Sequence, residues 1–264
     1  MRIALCVTGF ARVIHSADVI RRSLNRALPP DSIIDVFWAC PTQLDPDDTK
    51  TRVDQAALHS GFADAGLSGV TIVWFDYTPS MFYEAGRQFS FAKKDTLQNR
   101  SIFRTLSQVY NISKTVQIAH ESGLEYDTVV ITRNDYIPHV LTYAIPLQMN
   151  HGIYAYRTSP YRTSTGQVGL GGNYLDTEDR AFYGTHDDMM RFRNFYETLP
   201  MVFTSPKLYP EVLHTEFIRS MIPEHRIYYQ DGMHIEFPPN RTDTCLYKLN
   251  NIELQVINER FGSN

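Results

Sequence analysis

"SIFRTLSQVYNISKTVQIAHESGLEYDTVVITRNDYIP", residues 101–138, holds the pattern on which the fold turns. Ile102, Leu106, Val109, Ile112, Val116 and Ala119 recur at three- and four-residue steps, the period of a helix buried along one side. The pattern predicts a long helix over 99–122, closed at Gly123. A strand over 126–132 follows at once, and its β-branched run from Thr128 to Thr132 suits burial on both faces. The strand ends in Arg133-Asn134-Asp135, then an aromatic residue and a proline. Charged groups are costly in a core. The pair therefore either marks the strand's exit into water, as a local ion pair, or meets a charged ligand there. If the strand continues that far, Asn134 points opposite to its neighbours.

Upstream, "RIALCVTG" (2–9), "SIIDVFWAC" (32–40) and "VTIVWF" (70–75) are short apolar runs suited to buried strands. Helices are predicted between them. One covers 17–28, with Val19, Ile20, Leu24 and Leu28 on one side and a stop at Pro29-Pro30; the other covers 51–65. Downstream of residue 138 the texture changes. A strand is expected at "GIYAYRT" (152–158), then a Gly-rich loop over 166–184. A Thr185-x-x-Asp188 capping box opens a helix over 187–198, and Asp187-Asp188 supply the negative charge that suits a helix start. A further helix opens at Tyr209-Pro210-Glu211 with Leu213, Phe217 and Met221 on one face. "RIYYQ" (226–230) and "HIEF" (234–237) read as short strands. Strands alternating with helices imply an α/β fold: a mostly parallel central sheet flanked by helices, Rossmann-like in its N-terminal half. One domain with two lobes is expected, divided near residue 138.

A chain of 264 residues with net charge −4 is no generic nucleic-acid binder, although a few local arginines could still hold a small anion. Its three cysteines, Cys6, Cys40 and Cys245, are far apart and lack CxxC spacing, so they read as reduced core residues. No run approaches the length of a transmembrane helix. The opening residues are too short and strand-like for a signal peptide, so the sequons at Asn99, Asn111 and Asn240 are taken as chance matches and a cytoplasmic location is expected.

In open α/β sheets ligands bind beyond the carboxyl ends of the strands. "TGFAR" (8–12) lies at one such end. Beside Thr8, Gly9 allows a tight turn and close backbone approach, and Arg12 can reach a phosphate or a base; the alternative is a plain turn with a surface arginine. The stretch is neither GxGxxG nor a Walker loop, which disfavours a dinucleotide oxidoreductase. At the second such end, Arg133 and Asp135 can organise a diphosphate, Arg133 by a bidentate contact and Asp135 through a divalent cation. Asp176, Glu178 and Asp179 form a carboxylate cluster that either supplies a base for transfer to a hydroxyl or caps the next helix in solvent. His214 and His234 are metal-ligand types, although a surface or satisfied core histidine is the more usual reading of each. "YRTSPYRTSTGQ" (156–167) interleaves Tyr156, Arg157, Tyr161 and Arg162 with hydroxyl residues, suiting a carbohydrate or phosphate surface or a polar loop. Arg104 and Lys114, on the long helix, either contact phosphate or face solvent.

"RIALCVTGFAR" (2–12), "DVFWAC" (35–40), the helix and "YDTVVITRND" strand of 101–135, "GGNYLDTEDRAFYGTHDDMMRFRNFY" (171–196) and "LYPEVLHTEFI" (208–218) occur in an order that resembles GT-A-fold glycosyltransferase-like proteins of polysaccharide gene clusters and large algal viruses. The resemblance implies an inverting hexosyl- or pentosyltransferase moving sugar from a nucleoside diphosphate, UDP foremost, to a glycan hydroxyl. It implies a nucleotide-sugar half over about 1–138, with Thr8, Gly9 and Arg12 in the pocket, and an acceptor half over about 139–264. Asp135 becomes the carboxylate for Mn²⁺ or Mg²⁺ and diphosphate, and Asp179 the base. The sequence departs from the family's Asp-x-Asp signature by carrying Arg133 in place of the first aspartate. One carboxylate is lost and one cation gained, so Arg133 itself would neutralise diphosphate and weaken the metal's hold. The rival classes are a silent nucleotide-sugar or glycan-binding protein and a phosphohydrolase, which would need more clustered Asp and His.

Overall fold

Three parallel strands form the first block of the sheet: β1 (Arg2–Thr8), β2 (Ile33–Pro41) and β5 (Gly69–Phe75). The computed structural model describes residues 1–45, 48–82, 96–137, 150–157, 177–202, 210–223 and 226–231. All belong to one unit, Met1–Ser159 with Gly172–Gly232, while a second unit, Pro160–Gly171 with Met233–Asn264, lies outside the described residues. Between β1 and β2, α1 (Ala17–Ala27) starts at the Ser16 cap, whose hydroxyl accepts from the Val19 amide. It buries Ile20, Leu24 and the following Leu28, as the spacing predicts.

The helix expected over 51–65 starts later. A small hairpin, β3 (Gln43–Asp45) with β4 (Asp48–Arg52), occupies the polar stretch before it. Helix α2 (Gln55–Ala63) then begins at Asp54, whose carboxylate accepts from the Ala57 amide at 3.0 Å. The side-chain cap fixes the boundary, a signal apolar periodicity does not carry.

Helix α3 (Thr96–Glu121) packs across β1 and β2 and buries Leu106, Val109, Ile112, Val116 and Ala119. Gly123, at φ 68°, takes the left-handed conformation that ends it. Strand β6 (Thr128–Arg133) pairs in parallel with the other side of β1. Beyond it come β8 (Thr177–Gly184), β7 (Ile153–Arg157) and the edge strand β9 (Ile227–Asp231), giving the order β5-β2-β1-β6-β8-β7-β9. The sheet is mostly parallel; among its described strands β8 alone runs against its neighbours, β6 and β7. This strand corrects the loop expected through residue 184. Its glycine-rich approach and charged start look like a turn, yet Ala181, Phe182 and Tyr183 are buried between two strands that supply its ladder bonds.

The helix expected over 187–198 is broken into α4 (His186–Met189), a 3-10 turn (Met190–Asn194) and α5 (Phe195–Val202). The second junction traces to the neighbouring helix. Ser113 of α3 donates its hydroxyl to the Phe192 carbonyl at 3.2 Å and accepts the Tyr196 amide at 2.7 Å, standing where an α-helix would join those two groups directly. The Thr185-x-x-Asp188 box does not form either. The Thr185 side chain makes no bond to the helix backbone, and its hydroxyl donates to Asp188 at 3.2 Å. Asp188 is buried and ion-paired with Arg226 just before β9. A tertiary charge partner has displaced the local cap. Helix α6 (Pro210–Met221) closes the layer, burying Leu213, Phe217 and Ile218. "HIEF" (234–237) lies outside the described residues.

Ser113 is 1% exposed, and removing its hydroxyl takes the acceptor from the Tyr196 amide and one of two donors from the Phe192 carbonyl, which keeps the Phe195 amide. Ser113→Ala is expected to lower stability by about 2 kcal/mol, read from urea unfolding as a lower midpoint at unchanged slope.

Candidate functional site

From β1 the chain steps outward to β2 and β5, and α3 then returns it to lay β6 on the opposite side of β1. The strand order reverses between β1 and β6, and the crevice beyond their carboxyl ends is where open α/β sheets receive ligands. Thr8 pairs with Arg133 in the parallel ladder, so the turns after the two strands leave the sheet side by side. Gly9 sits at φ 85°, a conformation that strains any L side chain, and its carbonyl accepts from the Trp38 indole N–H at 3.1 Å. Thr115 of α3 spans the strands here, accepting the Ala39 amide and donating to the Val7 carbonyl.

Asn134 joins the two turns. Its amide donates to the Val13 carbonyl at 2.7 Å, and its own carbonyl accepts from His15 Nε2 at 2.8 Å. A 3-10 turn over Asn134–Tyr136, rather than continued strand, carries the chain away from β6. Asn134 is buried against residues 13–15, while Arg133 and Asp135 face a different surface.

That surface is a cavity of about 160 Å³. Thr8, Gly9, Phe10 and Arg12 line it from the first turn, Arg133 and Asp135 from the second, and Arg104, Ser107, Gln108 and Asn111 from α3. Five residues singled out in the sequence (Thr8, Gly9, Arg12, Arg133 and Asp135) thus share one cavity, and Arg104 joins them. Lys114 does not; its ammonium lies 5.6 Å from the Tyr110 ring centre. Sequence reading missed Ser107, Gln108 and Asn111. The signal was present as polar residues at 104, 107, 108 and 111, the i, i+3, i+4, i+7 spacing of one helix face.

Three guanidinium groups face one carboxylate among the described lining residues. Arg133 grips Asp135 with two nitrogens, Nε to Oδ1 at 2.9 Å and Nη2 to Oδ2 at 2.5 Å. Their side chains remain 30% and 35% exposed, so the pair sits at the cavity's surface and not in the core. The sequence offered two readings of this pair, mutual partners or ligand groups, and the structure makes them partners on a cavity wall. Arg12 pairs with Asp45 at 2.8 Å, and its guanidinium lies 5.9 Å from the Phe10 ring centre. Burial raises the Asp135 carboxyl, but the charges of Arg133 and Arg12 outweigh it and hold the group below its ordinary 3.8. Asn111 is 1% exposed, and its Oδ1 has no hydrogen-bond partner among the described residues.

A resident divalent cation fits this wall poorly. Such ions gather six or more oxygen ligands, whereas both oxygens of Asp135 already serve Arg133 and two further arginines share the cavity. Among the described residues no group of three or more His, Cys, Asp or Glu could hold a metal. His214 is a core residue, stacked on Phe182 with ring centres 5.0 Å apart and edge-on to Phe195. His234 and Asp176 lie outside the described residues. Glu178 and Asp179 fall on the backbone of β8, not in a loop. Ala181 pairs with Thr132 in antiparallel register, so residues 177–180 continue past the end of that pairing, on the rim where β1 and β6 end. Cys6 and Cys40 are buried free thiols, pushed well above the ordinary thiol range by burial. No helix among the described residues is long and apolar enough to cross a membrane.

Compared with protein-family models and with curated proteins, the chain has no significant match.

Because the folded Asp135 titrates below its unfolded value, its contribution to stability is complete above the ordinary carboxylate range. It is lost as pH falls through the lowered folded value. Asp135→Asn removes that dependence. The variant is expected to lose ~1 kcal/mol or less at neutral pH, solvent screening the pair. Below about pH 4 its unfolding, followed by circular dichroism, should be less steep than that of the wild type.

Proposed function

We propose that the chain is a GT-A-like glycosyltransferase, and that the cavity at the β1–β6 switch point receives the diphosphate of its nucleotide-sugar donor. The observation that carries this is the convergence of Arg12, Arg104 and Arg133 on a glycine turn at the carboxyl ends of adjacent parallel strands. Guanidinium groups bind phosphate oxygens in pairs, and a glycine turn lets backbone approach them. At about 160 Å³ the cavity is smaller than a whole-ligand pocket of roughly 300–1,000 Å³. It suits the charged centre of such a ligand, with nucleoside and sugar extending beyond it. The order of motifs from "TGFAR" to "LYPEVLHTEFI", and their resemblance to GT-A-type proteins, supports sugar transfer over other uses of an anion site.

In this proposal Asp179 acts as base, from a strand whose first residues reach the same rim. The acceptor's hydroxyl oxygen forms a bond to the anomeric carbon as its proton passes to Asp179. The carbon–oxygen bond to the diphosphate breaks, and the diphosphate leaves with the electron pair. Arg133 and Arg12 stabilise that developing charge. One observation favours a binding protein instead: the single described carboxylate of the cavity is occupied by Arg133.

A thermal-shift panel of UDP-, GDP- and dTDP-sugars, each with EDTA and with Mn²⁺, tests the donor site. At least one sugar nucleotide is expected to raise the melting temperature, in EDTA as in Mn²⁺, because ligand that binds only the folded state stabilises it. Arg133→Ala should abolish that shift. Asp179→Asn should retain the shift while transfer to glycan acceptors falls by about a hundredfold or more. A panel blank throughout removes the donor-site reading. A shift without transfer by the wild type leaves a binding protein.

A further inference from the structure

Helix α3 is apolar where it meets the sheet and polar where it meets the cavity, and Asn111 lies deepest on that polar face. Its Oδ1 is enclosed yet accepts no hydrogen bond from the described residues. Native interiors rarely leave such an acceptor unmatched, and one that stays so beside a cavity points to a partner that arrives with the ligand. The guanidinium groups of the same cavity select phosphate oxygens. Those oxygens are acceptors at neutral pH and give Asn111 no hydrogen to accept. The missing donor must therefore sit on another part of the same ligand, as a hydroxyl or an N–H. Pyrophosphate offers at most a P–OH proton, which neighbouring guanidinium groups favour losing, whereas a phosphorylated sugar or nucleoside carries several fixed donors.

We infer that Asn111 is a specificity-determining residue, whose Oδ1 accepts a hydrogen bond from a hydroxyl or N–H of the phosphorylated ligand that the cavity's arginines hold. This rests on the donor-site proposal above and adds to it the means by which the cavity tells a sugar nucleotide from bare diphosphate.

Isothermal titration on the full chain separates the two claims. The probes are inorganic pyrophosphate and whichever of UDP-glucose, GDP-mannose and dTDP-glucose binds the wild type most tightly. Asn111→Leu and Asn111→Ala should weaken the sugar nucleotide about tenfold or more and leave pyrophosphate unchanged. Arg133→Ala should weaken both. Without ligand, at least one Asn111 variant should melt at or above the wild type, since an unmatched acceptor contributes nothing to the free fold. Three results overturn the inference: unchanged sugar-nucleotide affinity, equal loss for both probes, or free variants that both melt well below the wild type. If Arg133→Ala weakens both probes while the Asn111 variants change neither, only the role of Asn111 falls. If neither probe binds the wild type, the donor site falls and Asn111's role with it.

Discussion

The in-register parallel pairing of β1 with β6 is the constraint from which the rest follows. Once backbone hydrogen bonds set Thr8 against Arg133, the glycine turn and the Arg-Asn-Asp turn emerge within reach of one another. The two segments are more than a hundred residues apart in sequence, and only the crossover through α3 brings them together. Asn134, His15 and Trp38 then act as fastenings, each joining the backbone of one turn to a neighbouring element. The chain as a whole is acidic, yet this rim gathers arginines, so the field that matters is local.

Helix α3 serves three purposes. Leu106, Val109, Ile112 and Val116 pack in the core, Arg104, Ser107, Gln108 and Asn111 line the cavity, and Ser113 breaks the helix of the next layer. Interiors as densely packed as a protein's do not let such a helix shift on one side alone. The cavity wall and the start of α5 are therefore parts of one stiff assembly, with Thr115 tying it to β1 and β2.

Periodicity revealed the parallel half because strands buried on both faces and a one-sided helix leave strong marks. The turns at Gly9 and Arg133–Asp135 were legible for a related reason: a glycine or a charge is conspicuous at the end of an apolar run. Strand β8 was hidden by its glycine-rich approach and by the charged run Glu178-Asp179-Arg180 near its start. The break between Phe192 and Tyr196 depends on a hydroxyl some eighty residues upstream, which no local pattern encodes. Thr185 and Asp188 looked like a local cap because the distant Arg226 cannot be seen from their spacing. The polar stripe of α3 lay in plain view, overshadowed by the apolar stripe that shares its period.

The indole that holds the Gly9 carbonyl belongs to one of only two tryptophans in the chain. Trp38 is fully enclosed, whereas Trp74 lies half-buried on the edge strand β5. Ultraviolet emission from the protein is thus divided between a shielded fluorophore fastened to the mouth of the crevice and a wetter one on the adjacent strand, two residues beyond Ile72, the register partner of Trp38. Because the enclosed indole is hydrogen-bonded to the glycine turn, anything that tugs on that turn reaches it directly, so the fold carries its own optical gauge of the crevice.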